Sequence, residues 1–185
     1  MNQITNLHSI PALQEIQIRD DIKLRPLQKS DATGILEVLV ADSSIRDRVT
    51  VASYLYTPED ITAEVKRYRQ DPGLIRYTIL KKDNPIGLVS LWRDSGYFGT
   101  TPQSDDYGFG YFLEPKERGK GIVTSALQSL RDIVKKNLRV NQFVAFCEDN
   151  NIESIAVLTK LGFKPTDETF PEPIHGWVER KYIKP

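Results

Sequence analysis

The chain has 185 residues, with 25 Lys or Arg side chains balanced by 25 Asp or Glu side chains. This length fits one domain with a sizeable core, and the balanced charge gives no sign of a nucleic-acid or anionic-membrane partner. A single cysteine excludes an internal disulfide, and no apolar run approaches the ~20 residues of a membrane helix. Because the N-terminus also lacks a secretory signal pattern, we expect a cytoplasmic protein.

We predict a flexible leader over residues 1–14 and a single domain over residues 15–185. Residues 16–18 alternate between apolar and polar side chains. This pattern predicts a strand that folds back onto Ile22–Leu27 as a hairpin.

Two helices are predicted next. Ser30 can cap a helix that runs through Val40. Thr57-Pro58-Glu59-Asp60 combines a capping hydroxyl, a first-turn proline and acidic side chains, which is typical of a helix start. The intervening residues 44–56 fit either a helix or a loop over a substrate cleft.

An antiparallel strand pair is predicted in the middle of the chain. Apolar residues alternate over residues 75–79, residues 82–85 contain turn formers, and residues 86–92 supply the partner strand. Residues 93–105 are rich in Gly, Thr, Ser and Asp, which indicates a loop.

The C-terminal part of the chain is expected to be irregular before its last strand. Pro165, Pro171 and Pro173 interrupt the segment after Phe163. Trp177–Ile183 predicts the final strand.

A strand-to-helix junction at residues 116–122 carries the main functional signal. The apolar run Gly108–Leu113 before it predicts a buried strand, and apolar residues after it recur along one helical face. The first N–H groups of a helix lack intrahelical partners and carry a partial positive charge. Gly119 and Gly121 would let a ligand approach the backbone closely. Three basic residues lie in the same stretch: Lys116, Arg118 and Lys120. The junction predicts a diphosphate site, although Gly-x-Gly alone also fits a tight turn with solvated charges.

A second signature lies downstream of this junction. Phe143–Cys147 predicts a strand, and Asn151–Phe163 predicts a short helix that is closed by Gly162. The glycine spacing at the junction matches neither a Walker loop nor the dinucleotide fingerprint.

The order strand, Arg-Gly-x-Gly, helix, strand, Asn-x-x-Ser and Lys-x-Gly-Phe resembles the GNAT superfamily of N-acetyltransferases. The branch that acetylates ribosomal-protein N-termini is the most similar, with Ile22–Leu27 resembling its first strand and Pro85–Leu91 its third. The resemblance implies an α/β (α+β) fold. Its sheet would be mixed, mostly antiparallel and six- to seven-stranded, flanked by about four helices and splayed between its fourth and fifth strands.

Under this resemblance acetyl-CoA is the co-substrate and no metal takes part. Backbone amides of residues 116–122 would bind the diphosphate, and the strand edge near Phe112 and Leu113 would pair with pantetheine and polarise the thioester. Lys116 stands where the family usually has Gln or Arg. Asn151 would reach the pantetheine arm or serve only as a helix cap. The implied binding set is Phe112, Leu113, Lys116, Glu117, Arg118, Gly119, Lys120, Gly121, Ile122 and Asn151.

Acetyl transfer to an amine needs a neutral nucleophile, a site for the oxyanion and a proton donor for the departing thiolate. Many GNAT enzymes have a donor tyrosine at the register where this chain has Leu158. The ribosomal-protein branch uses a serine three residues after the asparagine, which here is Ser154. A serine within a helix also fits a solvated or backbone-bonded hydroxyl. We interpret Cys147 as a small buried residue, since direct transfer needs no covalent intermediate.

The general base is less well defined by the sequence. The same branch uses a glutamate before the final strand, and Glu172 lies within one residue of that position. His175 could act near neutral pH but also fits packing beside Trp177, and a water relay would make a base unnecessary. The rival acids are Asp105, Asp106 and Glu148.

We therefore expect an N-acetyltransferase that moves an acetyl group directly from acetyl-CoA to a primary amine. A protein N-terminus, an amino acid, a polyamine and an antibiotic amine are all candidate acceptors. A homodimer is a further possibility. A catalytically weak acyl-CoA-binding sensor module is the alternative from another class. Leu158 favours that alternative, and Ser154 argues against it.

Overall fold

Eight strands form one sheet in the part of the chain that the structure describes. This computed structural model describes residues 6–93, 105–172 and 176–185. The spatial order is β1-β2-β3-β4-β5-β6-β8-β7, and every neighbouring pair is antiparallel except β5 and β6. The strands are β1 Ile16–Arg19, β2 Ile22–Pro26, β3 Leu74–Lys81, β4 Asn84–Arg93, β5 Asp106–Leu113, β6 Gln142–Cys147, β7 Lys164–Pro171 and β8 Val178–Lys184.

Four α-helices cover the two faces of this sheet. They are α1 Ala32–Ala41, α2 Pro58–Gln70, α3 Ile122–Asn137 and α4 Ile152–Lys160. Helices α1 and α2 share one buried core with Leu88 and Phe112, whereas α3 and α4 share the other with Phe109 and Phe143. Across the described ranges, no helix is long and apolar enough to cross a membrane. The mixed, mostly antiparallel sheet and its four helices confirm the expected fold class.

The sheet has eight strands rather than the expected six to seven, and β7 accounts for the difference. The prediction that prolines keep this segment irregular was wrong for residues 164–171, which pair antiparallel with β8. The register shifts between Pro165 and Thr169. Strand β7 lies at the edge of the sheet, where proline is tolerated because one side of the strand needs no ladder hydrogen bond. Pro173 lies outside the described residues.

The N-terminal segment is packed from Asn6 onward. Leu7 and Leu13 are fully buried, and the Tyr77 hydroxyl donates a hydrogen bond to the Leu13 carbonyl oxygen at 2.9 Å. The described part of the expected flexible leader therefore lies against β3. Residues 1–5 and most of the predicted loop over residues 93–105 lie outside the described residues. The predicted β1–β2 hairpin is confirmed by the pairing of the two strands.

The two predicted helix starts differ in outcome. The Thr57 hydroxyl accepts a hydrogen bond from the Asp60 N–H, and the Asp60 carboxylate accepts one from the Thr57 N–H at 2.8 Å. This reciprocal cap confirms the predicted start of α2. Ser30 does not cap α1, because it lies inside a 3₁₀ turn, Lys29–Asp31, that leads into that helix.

Strands β5 and β6 separate after a short parallel stretch. They pair only from Asp106 to Gly108 on β5 and from Gln142 to Val144 on β6. Strand β5 continues along β4 to Leu113, and β6 continues along β8 to Cys147. These are the fourth and fifth strands in the family's count, so the expected splay is present. It leaves one edge of each strand open at the place where the candidate site lies.

Candidate functional site

Two clefts, each of about 360 Å³, meet where β5 and β6 separate. The first, here the inner cleft, is lined by β5, β6 and β8 together with the loop before α2, and includes Thr50, Cys147 and Glu179. The second, here the turn cleft, lies between the β5–α3 junction and α4, and includes Gly119 and Gly121. Five residues line both clefts: Arg48, Val49, Tyr111, Asn151 and Ser154.

The turn between β5 and α3 presents unpaired backbone donors. Gly119 and Gly121 have φ values of +74° and +73°, a left-handed conformation that glycine adopts without strain. In the described structure, the amides of Gly119, Lys120 and Gly121 have no hydrogen-bond acceptor within reach. The first N–H groups of α3, which begins at Ile122, also lack intrahelical partners. This row of donors at the positive end of a helix suits a phosphate group.

Two arginines fix the shape of this turn. Arg19 of β1 donates hydrogen bonds to the Lys120 carbonyl oxygen at 3.0 Å and to the Ser125 hydroxyl at 3.2 Å. Arg118 donates to the Leu113 carbonyl oxygen at 3.2 Å and to the Asp42 carboxylate at 2.6 Å. Arg19 was not among the predicted site residues, because it lies 101 residues before Lys120 and no local motif marks it.

The three predicted cations differ in placement. Arg118 lines the turn cleft. Lys116 forms an ion pair with Glu114 at 2.6 Å and borders a separate depression beside α1. Lys120 pairs with Glu117 at 3.1 Å.

The side chain of Glu117 is occupied by lysines. It is buried and accepts hydrogen bonds from Lys81, the nearer at 2.8 Å. These bonds, together with the one from Lys120, lower the pKa of Glu117. The contribution predicted for Glu117 to phosphate binding would therefore come from its position in the turn rather than from its carboxylate.

Ser154 faces the open edge of β5. The Asn151 side chain accepts a hydrogen bond from the Ser154 N–H at 3.1 Å and so caps α4, while Asn151 still lines both clefts. The Ser154 hydroxyl lies 3.0 Å from the Tyr111 hydroxyl. Burial raises the pKa of Tyr111, and the hydrogen bond with Ser154 offsets this only in part. Tyr111 therefore stays protonated near neutral pH and can donate a hydrogen bond. Leu158 also lines the inner cleft and offers no proton.

Tyr111 was not among the predicted site residues. It lies in an apolar and aromatic strand, so its residue type alone fits the core. Its contact with Ser154 joins residues 43 positions apart and depends on the packing of α4 beside β5.

One wall of the inner cleft is acidic. Glu148 and Glu179 line it, and Glu179 is only 7% exposed. Glu172, the predicted base, is buried and accepts a hydrogen bond from the Thr50 hydroxyl at 2.9 Å. Thr50 lines the cleft and Glu172 does not. The structure therefore places the predicted base behind Thr50 and a different glutamate at the surface of the cleft.

The two aspartates that were alternative candidates for the general base lie outside the inner cleft. Asp105 pairs with Arg93 at 3.2 Å, and Asp106 accepts hydrogen bonds from Asn141 and Gln142 at 2.7 Å each. Neither aspartate lines the inner cleft. His175 lies outside the described residues.

Burial changes the proton affinity of two groups in the inner cleft. It raises the pKa of Glu179 to about 7, and the like charges of Glu172 and Glu148 add to the effect, whereas Trp177 acts in the opposite direction. Burial also raises the pKa of the Cys147 thiol to about 12. Cys147 is therefore a neutral, poorly nucleophilic thiol near neutral pH. Within the ranges that the structure describes, no cluster of His, Cys, Asp and Glu could hold a metal ion.

The splayed sheet and the glycine turn at a helix N-terminus are features of an acyltransferase. The chain belongs to the GNAT acetyltransferase family, since the family model described as "Acetyltransferase (GNAT) domain" matches residues 21–164.

Named relatives agree with this assignment. The ribosomal-protein-serine acetyltransferase of Escherichia coli (strain K12) is 30% identical over 154 residues, covering 81% of this chain and 83% of the relative. The "Uncharacterized N-acetyltransferase YnaD" of Bacillus subtilis (strain 168) is 25% identical over 112 residues, and the match spans 60% of this chain and 61% of that protein.

Solved structures show the same fold. RimL, a ribosomal L7/L12 α-N-protein acetyltransferase in complex with coenzyme A, has a TM-score of 0.77 at 17% identity, over 92% of this chain and 97% of that one. The microcin C7 self-immunity acetyltransferase MccE, in complex with acetyl-CoA and AMP, has a TM-score of 0.72 at 20% identity, over 90% and 93%.

Replacing Glu179 with glutamine should stabilise the fold at pH 8 and leave its stability nearly unchanged at pH 4.5. The pKa of Glu179 is about 7 in the folded protein against an ordinary 4.5, so the folded state binds the proton more tightly. The free energy of unfolding should therefore fall as the pH rises from about 4.5 to about 7. We expect a gain of roughly 1–3 kcal/mol at pH 8, measured by urea unfolding. Glu168→Gln removes an exposed carboxylate and is the control. An equal gain at both pH values would contradict the shifted pKa.

Proposed function

We propose that the protein is an N-acetyltransferase that moves the acetyl group of acetyl-CoA to a primary amine by direct transfer. One observation carries the proposal: a cleft with unpaired amide donors and a cleft with an acidic wall meet at the Tyr111–Ser154 hydroxyl pair. Donor and acceptor can therefore enter from different sides and meet beside groups able to supply a proton.

The turn cleft suits the diphosphate of acetyl-CoA. The unpaired amides of Gly119 to Gly121 and the first turn of α3 supply hydrogen-bond donors. Arg118 lines the same cleft while paired with Asp42 at 2.6 Å. From there the pantetheine arm would follow the open edge of β5, pairing with the backbone near Phe112 and Leu113 like an added strand. That path leads toward Tyr111 and Ser154.

The chemistry follows from what lies at the meeting point. The amine nitrogen attacks the thioester carbonyl carbon, and a free amide on the β5 edge stabilises the oxyanion. The carbon–sulfur bond then breaks, and the Ser154 hydroxyl gives its proton to the thiolate. The Tyr111 hydroxyl, 3.0 Å from Ser154, can replace that proton at once.

A protein or peptide α-amino group is the acceptor that we place first. Two of the relatives are named as acetyltransferases of ribosomal proteins. The loop that carries Arg48, Val49 and Thr50 lines the inner cleft and would contact the residues next to the acceptor amine. Small amines are the second class of acceptor.

A catalytically weak acyl-CoA sensor remains the alternative function. The buried Leu158 in the inner cleft favours it, because leucine cannot act as a proton donor. The Tyr111–Ser154 pair argues against it.

An assay of thiol release from acetyl-CoA over a panel of amines tests the proposed function. We expect turnover with short peptides that have a free N-terminus and none with the same peptides acetylated at the N-terminus. Free amino acids, polyamines and aminoglycosides complete the panel. Tight binding of acetyl-CoA without turnover on any amine would support the sensor.

Gly119→Asp should weaken acetyl-CoA binding at least tenfold, or about 1.4 kcal/mol. A carboxylate there would repel the diphosphate, and the site has open space for a side chain. Gly119→Asn is the matched control, because Asn and Asp both tolerate a positive φ and differ mainly in charge. Calorimetry on the two variants isolates the charge effect. Equal affinities for Asp and Asn would place the diphosphate elsewhere.

Ser154→Ala should lower kcat about 10²- to 10⁴-fold, as expected for loss of a positioned general acid, while acetyl-CoA affinity stays within about twofold. Thr159→Ala removes an exposed hydroxyl from the same helix and should leave kcat unchanged. Single-turnover kinetics exclude limitation by product release. A Ser154→Ala rate close to that of the parent would reduce Ser154 to a helix-surface hydroxyl.

A further inference from the structure

We propose that Glu179 holds the ammonium group of the acceptor and removes its proton. The inference rests on the proposed acetyl transfer and names the residue that receives the amine at the same site. It differs from the sequence prediction, which assigned the base to Glu172.

Glu179 lies on β8 at the inner cleft. It lies on β8 one residue before Arg180, which pairs with Cys147 at the end of β6. Its side chain therefore sits beside the stretch of β6 that has separated from β5, and it lines the inner cleft. Tyr111 and Ser154 line the same cleft, so an amine held at Glu179 shares a cavity with the proposed proton donors.

One oxygen of the buried Glu179 carboxylate lacks a well-formed hydrogen bond to the described part of the chain. Glu179 is only 7% exposed, and its Oε2 atom has no hydrogen-bond partner of normal length and angle among the residues that the structure describes, although the Trp177 side chain favours the ionised carboxylate. A buried carboxylate oxygen without a donor costs free energy. An ammonium group supplies three donors and the opposite charge, so a bound amine would remove that cost.

The charges around Glu179 favour a cation. Glu172 and Glu148 bring two further negative charges. Arg180, the next residue, is held by two hydrogen bonds of 2.7 Å to Asp149, so its charge is already compensated. The neighbouring Cys147 thiol is neutral near pH 7 because burial raises its pKa to about 12.

Other charged or titratable groups line the cleft from other elements. Arg67 of α2 and Arg76 of β3 pair with Glu64 at 2.7 and 2.8 Å, and Arg93 of β4 pairs with Asp105 at 3.2 Å. Asp71, after α2, lines the same cleft. Arg48, on the loop before α2, is exposed and lines both clefts, so solvent screens its effect on Glu179. Tyr111, on β5, is neutral near pH 7 because burial raises its pKa.

Glu172 serves as a positioning residue in this arrangement. Its carboxylate accepts a hydrogen bond from the Thr50 hydroxyl at 2.9 Å and does not line the cleft. Its negative charge instead raises the proton affinity of Glu179. Glu179 thus contacts the amine, and Glu172 raises the pKa of Glu179.

Each proton that moves in the reaction has a donor and an acceptor. The acceptor ammonium gives one proton to Glu179, and the neutral amine forms the carbon–nitrogen bond to give the oxyanion, from which the carbon–sulfur bond then breaks. The thiolate takes a proton from Ser154, and the nitrogen loses its second proton to the same hydroxyl chain. Glu179 then releases its proton to water. In total, ammonium and acetyl-CoA give amide, free CoA thiol and one proton.

The test is a pH profile of kcat/KM with the best peptide from the amine panel. The wild-type rate should rise with pH around an apparent pKa near 7. Glu179→Gln should lose at least a hundredfold at pH 7, and its rate should rise only with deprotonation of the peptide amine itself, at about pH 7.7–8.0. Glu172→Gln should move the rise to lower pH, because a like charge is removed, and Glu168→Gln should match the wild type.

Carboxyl NMR titration of Glu179 in the free protein gives a readout that needs no turnover. Its apparent pKa should lie near 7 and fall in Glu172→Gln. Unchanged acetyl-CoA affinity shows that Glu179→Gln is folded, and if that variant does not fold, the Glu172→Gln shifts in the profile and in the titration decide the matter. A Glu179→Gln profile that superimposes on the wild type would overturn the inference and leave the proposed function standing. Absence of transfer by the wild type to every amine would instead overturn the proposed function.

Discussion

Strands β5 and β6 share parallel pairing over only three residues each, and the geometry of the site depends on that limit. Had they stayed paired, the edge from Phe109 to Leu113 would be covered by a neighbouring strand and no cleft would reach Ser154. Their divergence leaves polar backbone groups without a strand partner, which is costly in a buried sheet. A ligand with amides of its own, such as the pantetheine arm in the proposed function, would satisfy them. The opening is maintained because each strand stays anchored on its outer side, β5 to β4 and β6 to β8.

Buried polar networks hold the elements on either side of that opening. Glu64 of α2 is 2% exposed and accepts a hydrogen bond from Arg76 of β3 at 2.8 Å. Asp31, at the start of α1, pairs with Arg25 of β2 at 2.7 Å. Because removing one partner of such a pair leaves an uncompensated buried charge, these pairs tie α1 and α2 to the sheet in one arrangement. The loop with Arg48 and Thr50, which lines the inner cleft, connects those two helices.

The distribution of charge matters more than its total. The chain has no formal net charge, and charges of both signs line each cleft. In the proposed function the amide donors of the turn cleft face the anionic acetyl donor. The cationic acceptor faces Glu148 and Glu179, whereas Arg67, Arg76 and Arg93 in the same cleft are paired with acidic side chains. Lys116, Arg118 and Lys120 are all paired with acidic neighbours, so the positive character of the turn comes mainly from its backbone donors. Backbone donors are fixed in place and are less sensitive to salt than mobile lysines.

The sequence by itself determined the features that depend on neighbouring residues. The hairpin of β1 and β2, the reciprocal cap at Thr57 and the glycine turn before α3 follow from local hydrogen bonding and backbone freedom, and their order along the chain indicated the family. Tertiary structure alone decided the rest. Strand β7 forms despite its prolines because it lies at a sheet edge. Tyr111 meets Ser154, and Glu179 rather than Glu172 reaches the cleft, because strands distant in sequence pack side by side. The burial and the pKa of a side chain depend on such contacts, which the pattern of neighbouring residues in the sequence does not reveal.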